Sequence, residues 1–275
     1  MQQSPWVKYG LTILTFAVAF LMFFPILWMA ITSFKTEAEA IRFPPSIIFE
    51  PTLENWRIAI FDSPFLRYLR NTISITFFST LLSLLLAVPA AYAMAFYPTK
   101  RTDSSMLWIM STRMLPPAGV IVPLYIIFLN LKLLNTQAGL IILYAAMNFP
   151  LIVWMMRSFM LELPFDILEA ARLDGANLWQ EFSKVLLPLL TPGLAATSLL
   201  ALIFTWNEFF LAVNLTSTLD AAPVSVYVST FKAAQGNLFI AKMSAAATAS
   251  ILPVLIAGWL AQKQLVSGLT MGAVK

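Results

Sequence analysis

The sequence has neither cysteine nor histidine among its 275 residues. Without cysteine there are no disulfides and no thiol nucleophiles, and the two absences together exclude zinc sites of the Cys/His type. Serine–histidine and cysteine–histidine catalytic pairs are excluded as well. The sequence also lacks the G-x-x-x-x-G-K-S/T loop that cradles nucleotide phosphates, so we do not expect the chain to hydrolyse ATP itself.

Charge is scarce too: charged side chains make up 11% of the sequence, whereas 60% of the residues are hydrophobic. A soluble domain has about 25% charged residues, and a single soluble core of this length would not bury so much apolar surface. The composition therefore indicates an integral membrane protein in contact with lipid. The net charge is +4, but the basic residues are scattered and form no run, which favours membrane-anchoring loops over nucleic-acid binding.

Long stretches without charged residues predict six membrane-spanning helices in a single all-α domain, residues 1–275. A helix needs about 20 apolar residues to cross the bilayer core, and continuous apolar runs indicate helices rather than barrel strands. The first run is too long for a signal-peptide core, so we expect it to be retained as a span. The predicted spans are approximately 10–33, 72–97, 105–130, 138–158, 189–214 and 243–262, with a loop at 159–188 and a tail at 263–275.

The basic residues do not decide which side of the membrane holds the termini. Six spans place both termini on one side, and eight lysines and arginines then fall on each side, with Arg113 inside a span. The positive-inside rule compares such loop charges, and equal numbers leave it without an answer. The orientation has to come from another feature of the sequence.

The segment LPFDILEAARLDGANLWQEF, residues 163–182, is charged although it lies between two apolar spans. Pro164 fits a first helical turn, and Gly175 fits the stop at the end of that helix. Asn177 with Gln180 three residues later resembles a capping box that starts a second helix. The pattern alone fits both an amphipathic helix lying on the membrane and a docking element for a partner.

This segment resembles the EAA loop of the membrane subunits of bacterial ATP-binding-cassette (ABC) importers. The family pattern is Glu-Ala-Ala, a glycine four residues after the second alanine, and a later Leu-Pro. The matching residues are Glu169, Ala170, Ala171, Gly175, Leu187 and Pro188. The likeness implies the type I ABC importer permease fold: a bundle of six transmembrane helices with a cytoplasmic coupling helix.

Further motifs are similar to the carbohydrate-importer permeases of the maltose type. They are Asp174 before the glycine, WNEF at 206–209, TRMLPP at 112–117 and the tail GLTMGAVK at 268–275. The resemblance covers essentially the whole chain and implies import of a sugar or sugar alcohol by alternating access. The tail and the WNEF segment resemble the polyol branch, which carries mannitol or sorbitol.

The resemblance also implies partners and an orientation. The loop with Glu169, Ala170, Ala171, Asp174 and Gly175 is expected to dock on a cytoplasmic ATPase, which puts both termini inside the bacterial cytoplasmic (inner) membrane. A second permease subunit, two ATP-binding subunits and an extracytoplasmic solute-binding protein complete the importer. ATP is used by the partner, and this chain is expected to bind no cofactor and no metal. The tail residues that reach the ATPase are Gly272, Ala273, Val274 and Lys275.

Several polar and aromatic residues in the spans are candidates for the substrate path. Sugars are bound by hydrogen bonds together with an aromatic face. Interfacial anchoring of the tryptophan and helix-packing hydrogen bonds of the polar residues are the alternatives. The candidates are Tyr144, Asn148, Trp206, Asn207 and Glu208.

Two other functions compete with the importer. A stand-alone secondary transporter or channel for a small polar solute predicts uptake without an ATPase and sensitivity to an ionophore. Ion-coupled transporters usually carry ionisable residues inside the membrane, and here only Arg113 and Glu208 come close. An intramembrane enzyme is disfavoured because, without histidine or an intramembrane aspartate, neither a metalloprotease nor an aspartyl site can be built.

Overall fold

Apolar runs in this sequence form helices because lipid offers backbone N–H and C=O groups no partner outside the chain. The structure, a computed structural model, describes residues 5–231 and 239–271, and its regular elements in these ranges are all helical. In chain order they are α1 (Pro5–Thr32), α2 (Glu37–Ala40), α3 (Glu54–Trp56), the π-helical π1 (Arg57–Phe61), α4 (Phe65–Phe96), α5 (Thr102–Thr112), α6 (Pro117–Asn130), α7 (Gln137–Leu161), α8 (Asp166–Leu173), α9 (Leu178–Gln180), the π-helical π2 (Glu181–Leu186), α10 (Leu187–Leu189), α11 (Thr191–Trp206), α12 (Phe210–Leu215), α13 (Val224–Ser229) and α14 (Ile240–Met271).

Within the described residues, α1, α4, α7 and α14 are each long and apolar enough to cross a membrane. Two bent pairs pass the same test: α5 with α6, and the segment Leu178–Leu189 with α11. Counting each pair as one span gives six, so the prediction of an all-α membrane bundle is confirmed.

Proline accounts for the sharper of the two bends. The predicted span 105–130 is a pair of helices, α5 and α6, that meet at 88°. Pro116 is the extended N-cap of α6, with ψ 127°, and Pro117 occupies the first helical turn. Proline has no N–H to donate and disfavours helical backbone in the residue before it. The chain therefore stops one helix and starts another here, which the count of charge-free residues did not reveal.

The second bent pair reaches 75° at Leu190. Pro192 lies in the first turn of α11, where its missing N–H costs nothing. The predicted span 189–214 corresponds to α11 and α12, which are separated by three residues, 207–209. This span is therefore also interrupted near its far end.

The described residues form two compact units. The first unit lies within Met1–Leu66 and Tyr227–Leu252. The second lies within Arg67–Val226 and Pro253–Lys275. In the first unit, Lys35 is only 2% exposed; its Nζ donates to the carbonyl of Ser46 at 2.5 Å and lies 4.3 Å from the ring centroid of Trp28. The Nδ2 of Asn55 donates to the carbonyls of Ser33 and Lys35. These contacts fix the loop that follows α1.

The second unit has a core in which small residues on α4 and α11 let backbones approach closely. Its main cluster joins α4, α5, α7, α8, π2 and α11 through buried side chains. They are Ala87, Val88, Ala91, Ala95, Met106, Ile152, Val153, Met156, Met160, Leu168, Leu186, Leu190 and Ala201. A second cluster brings Ile75, Phe128, Leu140, Tyr144, Leu211, Ala212 and Leu215 together. The main cluster packs α7 against α11, and the second cluster packs α7 against α4, α6 and α12.

Gly193 on α11 tests this packing. A Cβ added there would lie 2.7 Å from two ring carbons of Phe159, one of them the atom that joins the ring to its side chain. Gly193→Ala should therefore lower the stability by about 1–3 kcal/mol, the usual cost of overpacking a tight contact. The check is the thermal unfolding midpoint of the purified chain in detergent.

Gly258→Ala on α14 is the matched control, because a Cβ there meets nothing within 4 Å. Both changes replace a helical glycine by alanine, which favours a helix. A Gly193→Ala protein as stable as the control would contradict the packing described for α11.

Candidate functional site

The charged loop folds as the helix α8, a glycine turn and a second helical segment. Gly175 has φ +83°, a left-handed conformation that an L side chain rarely adopts. The N–H of Gly175 donates to the carbonyl of Arg172, and that of Ala176 to the carbonyl of Ala171, both at 3.0 Å. The predicted stop at Gly175 is confirmed, since these bonds satisfy carbonyls that the helix end would leave open.

The start of each helical segment can also be compared with its prediction. α8 begins at Asp166 with Phe165 as its N-cap, so Pro164 lies just before the helix and the prediction that it sits in the first turn is wrong. The N–H of Ile167 nevertheless donates to the carbonyl of Pro164. The capping box of Asn177 and Gln180 is confirmed, with reciprocal hydrogen bonds of 2.9 Å.

α8 is amphipathic, with one side in the core and the other exposed. Leu168 is 2% exposed and belongs to the main core cluster. The residues of the EAA pattern lie mostly on the outer surface: Glu169, Ala170, Asp174 and Gly175 are exposed and Ala171 is half-buried. Exposed apolar side chains flank them, namely Ile167, Leu173, Leu178 and Trp179. The loop therefore presents a mixed apolar and acidic surface outward.

A buried carboxylate anchors the inner side of α8. Glu181 is 1% exposed, and its two oxygens accept from Arg172 Nε at 2.7 Å and Nη2 at 3.0 Å. The hydroxyl of Tyr92 on α4 donates to the same carboxylate at 2.7 Å. Arg172 Nη2 also donates to the hydroxyl of Tyr97 at 3.1 Å. We call these four residues the Arg172 cluster.

The Arg172 cluster was not predicted from the sequence. Arg172 and Glu181 lie nine residues apart across a turn, and Tyr92 lies 89 residues from Glu181, so no local spacing marks them. The Glu181 carboxylate raises the pKa of Arg172 above its usual value, because its hydrogen bonds stabilise the guanidinium. Arg172 and Glu181 are therefore both charged at physiological pH.

A cavity of about 620 Å³ lies in the second unit, between the α5–α6 bend and the helices α7 and α11. Its size falls within the range of about 300–1,000 Å³ that is common for small-molecule sites. The lining residues are Thr112, Arg113, Pro117, Tyr144, Ala146, Met147, Asn148, Phe204, Thr205 and Glu208.

Three of the five predicted substrate-path residues line this cavity together: Tyr144, Asn148 and Glu208. Tyr144 and Asn148 are four residues apart on α7, which places them on one face of the helix. The hydroxyl of Tyr144 donates to Glu208 Oε2 at 2.6 Å, and Asn148 Nδ2 donates to Thr205 Oγ1 at 2.7 Å. These bonds form a polar region in the cavity wall and connect α7 to the end of α11.

The other two candidates do not line the cavity. Trp206 is buried, with 9% of its surface exposed, and Asn207 is exposed and donates to the carbonyl of Ile203 in its own helix. Sequence reasoning missed Phe204 and Thr205 as lining residues, although they lie only four and three residues before Glu208. The tail candidates Gly272, Ala273, Val274 and Lys275 lie outside the described residues.

Glu208 has a second role beside the cavity, at the interruption between α11 and α12. Its carboxylate accepts from the backbone N–H groups of Leu211 at 2.9 Å and Ala212 at 3.1 Å. These are orphan donors at the start of α12. In the same cavity, the guanidinium of Arg113 lies 4.7 Å from the ring centroid of Phe204. An aromatic ring, a carboxylate, a guanidinium and an amide together suit a ligand with many hydroxyl groups.

Residues 83–266 match the family described as "Binding-protein-dependent transport system inner membrane component". The probable ABC transporter permease protein y4oR of Sinorhizobium fredii is 37% identical over 259 residues, which cover 94% of this chain and 92% of the relative. The trehalose/maltose transport system permease protein MalG of Thermococcus litoralis is 32% identical over 94% of this chain and 93% of its own length.

The structure is similar to one chain of a bacterial ABC transporter that is involved in the import of the acidic polysaccharide alginate. The TM-score is 0.76 at 26% identity, and the alignment covers 96% of this chain and 99% of that chain. The predicted type I ABC importer permease fold is confirmed by this likeness.

The interruption at Glu208 generates a prediction about stability. Glu208→Gln keeps the shape of the side chain but replaces one accepting oxygen by a donor, so Tyr144 or a backbone N–H of α12 loses its acceptor. We expect a loss of about 1–3 kcal/mol, the cost of leaving a buried polar group unpaired. The thermal unfolding midpoint of the purified protein in detergent measures it.

Asn207→Ala is the control for that measurement. Its side chain bonds only to its own helix and is exposed, so the change should alter stability by no more than about 0.5 kcal/mol. Equal midpoints for the two variants would mean that the Glu208 contacts contribute nothing.

Proposed function

The chain belongs to the family of binding-protein-dependent transport system inner membrane components, and from this premise we propose that it carries a carbohydrate across the cytoplasmic membrane by alternating access. It is a multi-pass permease subunit and depends on a separate ATPase for energy. Among its relatives, one is named for trehalose and maltose transport, and a structural neighbour takes part in alginate import. These names support a sugar as the class of substrate.

The observation that carries the proposal is the exposed surface of the coupling loop. The first residues of the EAA pattern lie on α8, whose inner side is fixed to the core by Leu168 and to Glu181 by Arg172. The outer side of α8 therefore has a defined position at the surface. Exposed apolar groups such as Leu173, 89% exposed, sit beside acidic ones. Several exposed apolar side chains in one short loop, rimmed by charged ones, are typical of a surface that contacts a protein partner. We assign that partner to the cytoplasmic ATPase subunits.

This assignment orients the chain. The coupling loop and both termini face the cytoplasm, and the tail residues 272–275 are expected to contact the ATPase. A second permease completes the membrane part, and an extracytoplasmic solute-binding protein delivers substrate to the opposite face, at loops 35–70 and 216–242. ATP binding closes the two ATPase subunits, the coupling loop moves with them, and the cavity opens outward; hydrolysis resets it.

The cavity supplies the chemistry for a polyhydroxylated ligand. Phe204 offers an aromatic surface, while Asn148, Glu208 and Arg113 offer hydrogen-bonding groups at its wall. We propose that Tyr144, Asn148 and Glu208 line the substrate path. Mannitol or sorbitol as the substrate stays a prediction from the WNEF segment and the tail.

The test of the proposed function is the composition and the energy requirement of the purified complex. The tagged chain, isolated from its native membrane in mild detergent, should bring a nucleotide-binding subunit and a second permease with it, as identified by mass spectrometry. In proteoliposomes the complex should take up a sugar only when ATP is present inside. Uptake by the chain alone that an ionophore abolishes would establish the secondary transporter instead.

A second prediction concerns the docking surface itself. Ala170→Trp adds a large ring to the exposed side of α8 without touching the core, so the ATPase should no longer co-purify while the second permease does. Ala138→Trp is the matched control: Ala138 is exposed at the start of α7, a helix of 25 residues that spans about 37 Å. The control should therefore keep the ATPase.

Gly175→Pro tests the turn after α8. Proline fixes φ near −65°, whereas Gly175 has φ +83°, so the turn has to rearrange while the spans remain intact. The variant should reach the membrane at a normal level and transport nothing, as measured by immunoblot and by uptake of labelled sugar. Normal uptake would show that the loop has no coupling role.

A further inference from the structure

We propose that the Arg172 cluster is the rigid link between the coupling helix and the cavity, so that α8 moves together with α4 and π2 as one body. Arg172 and Glu181 then act as positioning residues, since neither touches substrate. The inference rests on the proposed function and deepens it, because it names the contacts through which the ATPase motion enters the membrane part.

The first argument is the completeness of the hydrogen bonding at Glu181. Its carboxylate is almost fully buried and accepts three hydrogen bonds, two from Arg172 and one from Tyr92. A bidentate guanidinium–carboxylate pair has a narrow geometry. A buried carboxylate that loses its partner is costly. Sliding of α8 against π2 would break these bonds, so the two segments are held in a single arrangement.

The second argument is that α8 has little else to hold it. A helix of eight residues is too short to be stable on its own. Its inner face contributes only Leu168 to the buried core and Arg172 to the cluster. The guanidinium also lies 5.7 Å from the ring centroid of Tyr97 and 5.5 Å from that of Phe165. The position of α8 thus depends on the Arg172 cluster more than on its own helicity.

The third argument is the continuity from the cluster to the cavity. π2 continues through α10 into α11, with backbone hydrogen bonds from Leu190 to Leu186 and from Leu194 to Leu190 across the bend. α11 carries two cavity-lining residues at its other end. On the second route, α4 bonds to α7 through Ser83 Oγ, which donates at 2.9 Å to the carbonyl of Ala145. Ala145 lies between two residues of the cavity wall.

The charged residues of the loop fall into two groups. Arg172, which is partly exposed, neutralises the buried Glu181, whereas Asp166, Glu169 and Asp174 are exposed and have no such partner in the cluster. The outer carboxylates are therefore available to a partner without weakening the internal link. Loss of the internal pair should leave docking intact and uncouple it from transport.

The experiment measures the amount of sugar transported per ATP hydrolysed by the complete complex in proteoliposomes. Arg172→Met keeps an apolar stem and removes the charge, and should lower this ratio roughly five-fold or more, the usual scale of coupling between two sites. Co-purification of the ATPase should be unchanged. Lys100→Met is the control: it removes one exposed positive charge three residues after Tyr97, and should keep the wild-type ratio.

The double variant Arg172→Met with Glu181→Gln tests whether the two residues act through their interaction with each other. The double variant lacks the same two hydrogen bonds as Arg172→Met, so its ratio should be about as low as that of Arg172→Met and no lower. Additive losses in the double variant, or an unchanged ratio in Arg172→Met, would overturn the inference while leaving the proposed function intact. A wild-type complex without ATP-dependent uptake would overturn both.

Tyr92→Phe provides an answer if Arg172→Met does not assemble. It removes one hydrogen bond to Glu181 and keeps the ring that packs against Phe182. A lowered ratio with a normal amount of complex supports the link between α4 and the loop. A wild-type ratio in this variant counts against it.

Discussion

Every backbone N–H and C=O group inside a bilayer has to find its partner within the protein, and the arrangement of this chain follows from that constraint. Irregular backbone at membrane depth is tolerated only where it is buried in protein or lines a cavity. The second unit obeys this rule at two places. The break between α5 and α6 and the interruption after α11 both border the same cavity, through Arg113 on one side and Glu208 on the other. The cavity is thus built where helices stop.

The same constraint explains how the few charged groups inside the structure are used. Glu208 compensates the interruption that creates its own site, because its carboxylate accepts from the backbone of α12. Glu181 is neutralised by Arg172. In the first unit, the buried ammonium of Lys35 is met by a carbonyl and an aromatic ring instead of a carboxylate. Glu181 and Glu208 also join segments that are distant in sequence, through the hydroxyls of Tyr92 and Tyr144.

Local features of the fold could be predicted from the sequence, and long-range contacts could not. Charge-free windows found the apolar helices because spanning length is a property of one segment. The glycine stop and the capping box lie within a few residues of the groups they satisfy, so residue type alone reveals them. A hydropathy count alone does not reveal the bend at Pro116, because it ignores the missing N–H of proline.

For the site residues too, the residue types could be predicted from the sequence, but the contacts between distant positions could not. Tyr144 and Glu208 were both candidates by residue type, but the 2.6 Å bond between them joins positions 64 residues apart. Asn207 was chosen beside Glu208, yet its side chain donates to the carbonyl of Ile203 and does not line the cavity. The Arg172 cluster needs three segments to meet, which no window of sequence contains.

The charged loop and the cavity are connected through α11. α11 lies between them: one end leads through α10 and π2 to Glu181, and the other carries Phe204 and Thr205 at the cavity. Gly193 lets α11 pack tightly on α7, the helix that supplies Tyr144 and Asn148 to the same cavity. A packed interface of this kind shifts between discrete arrangements and does not deform gradually. Displacement of the loop therefore has to reach the cavity as movement of whole helices.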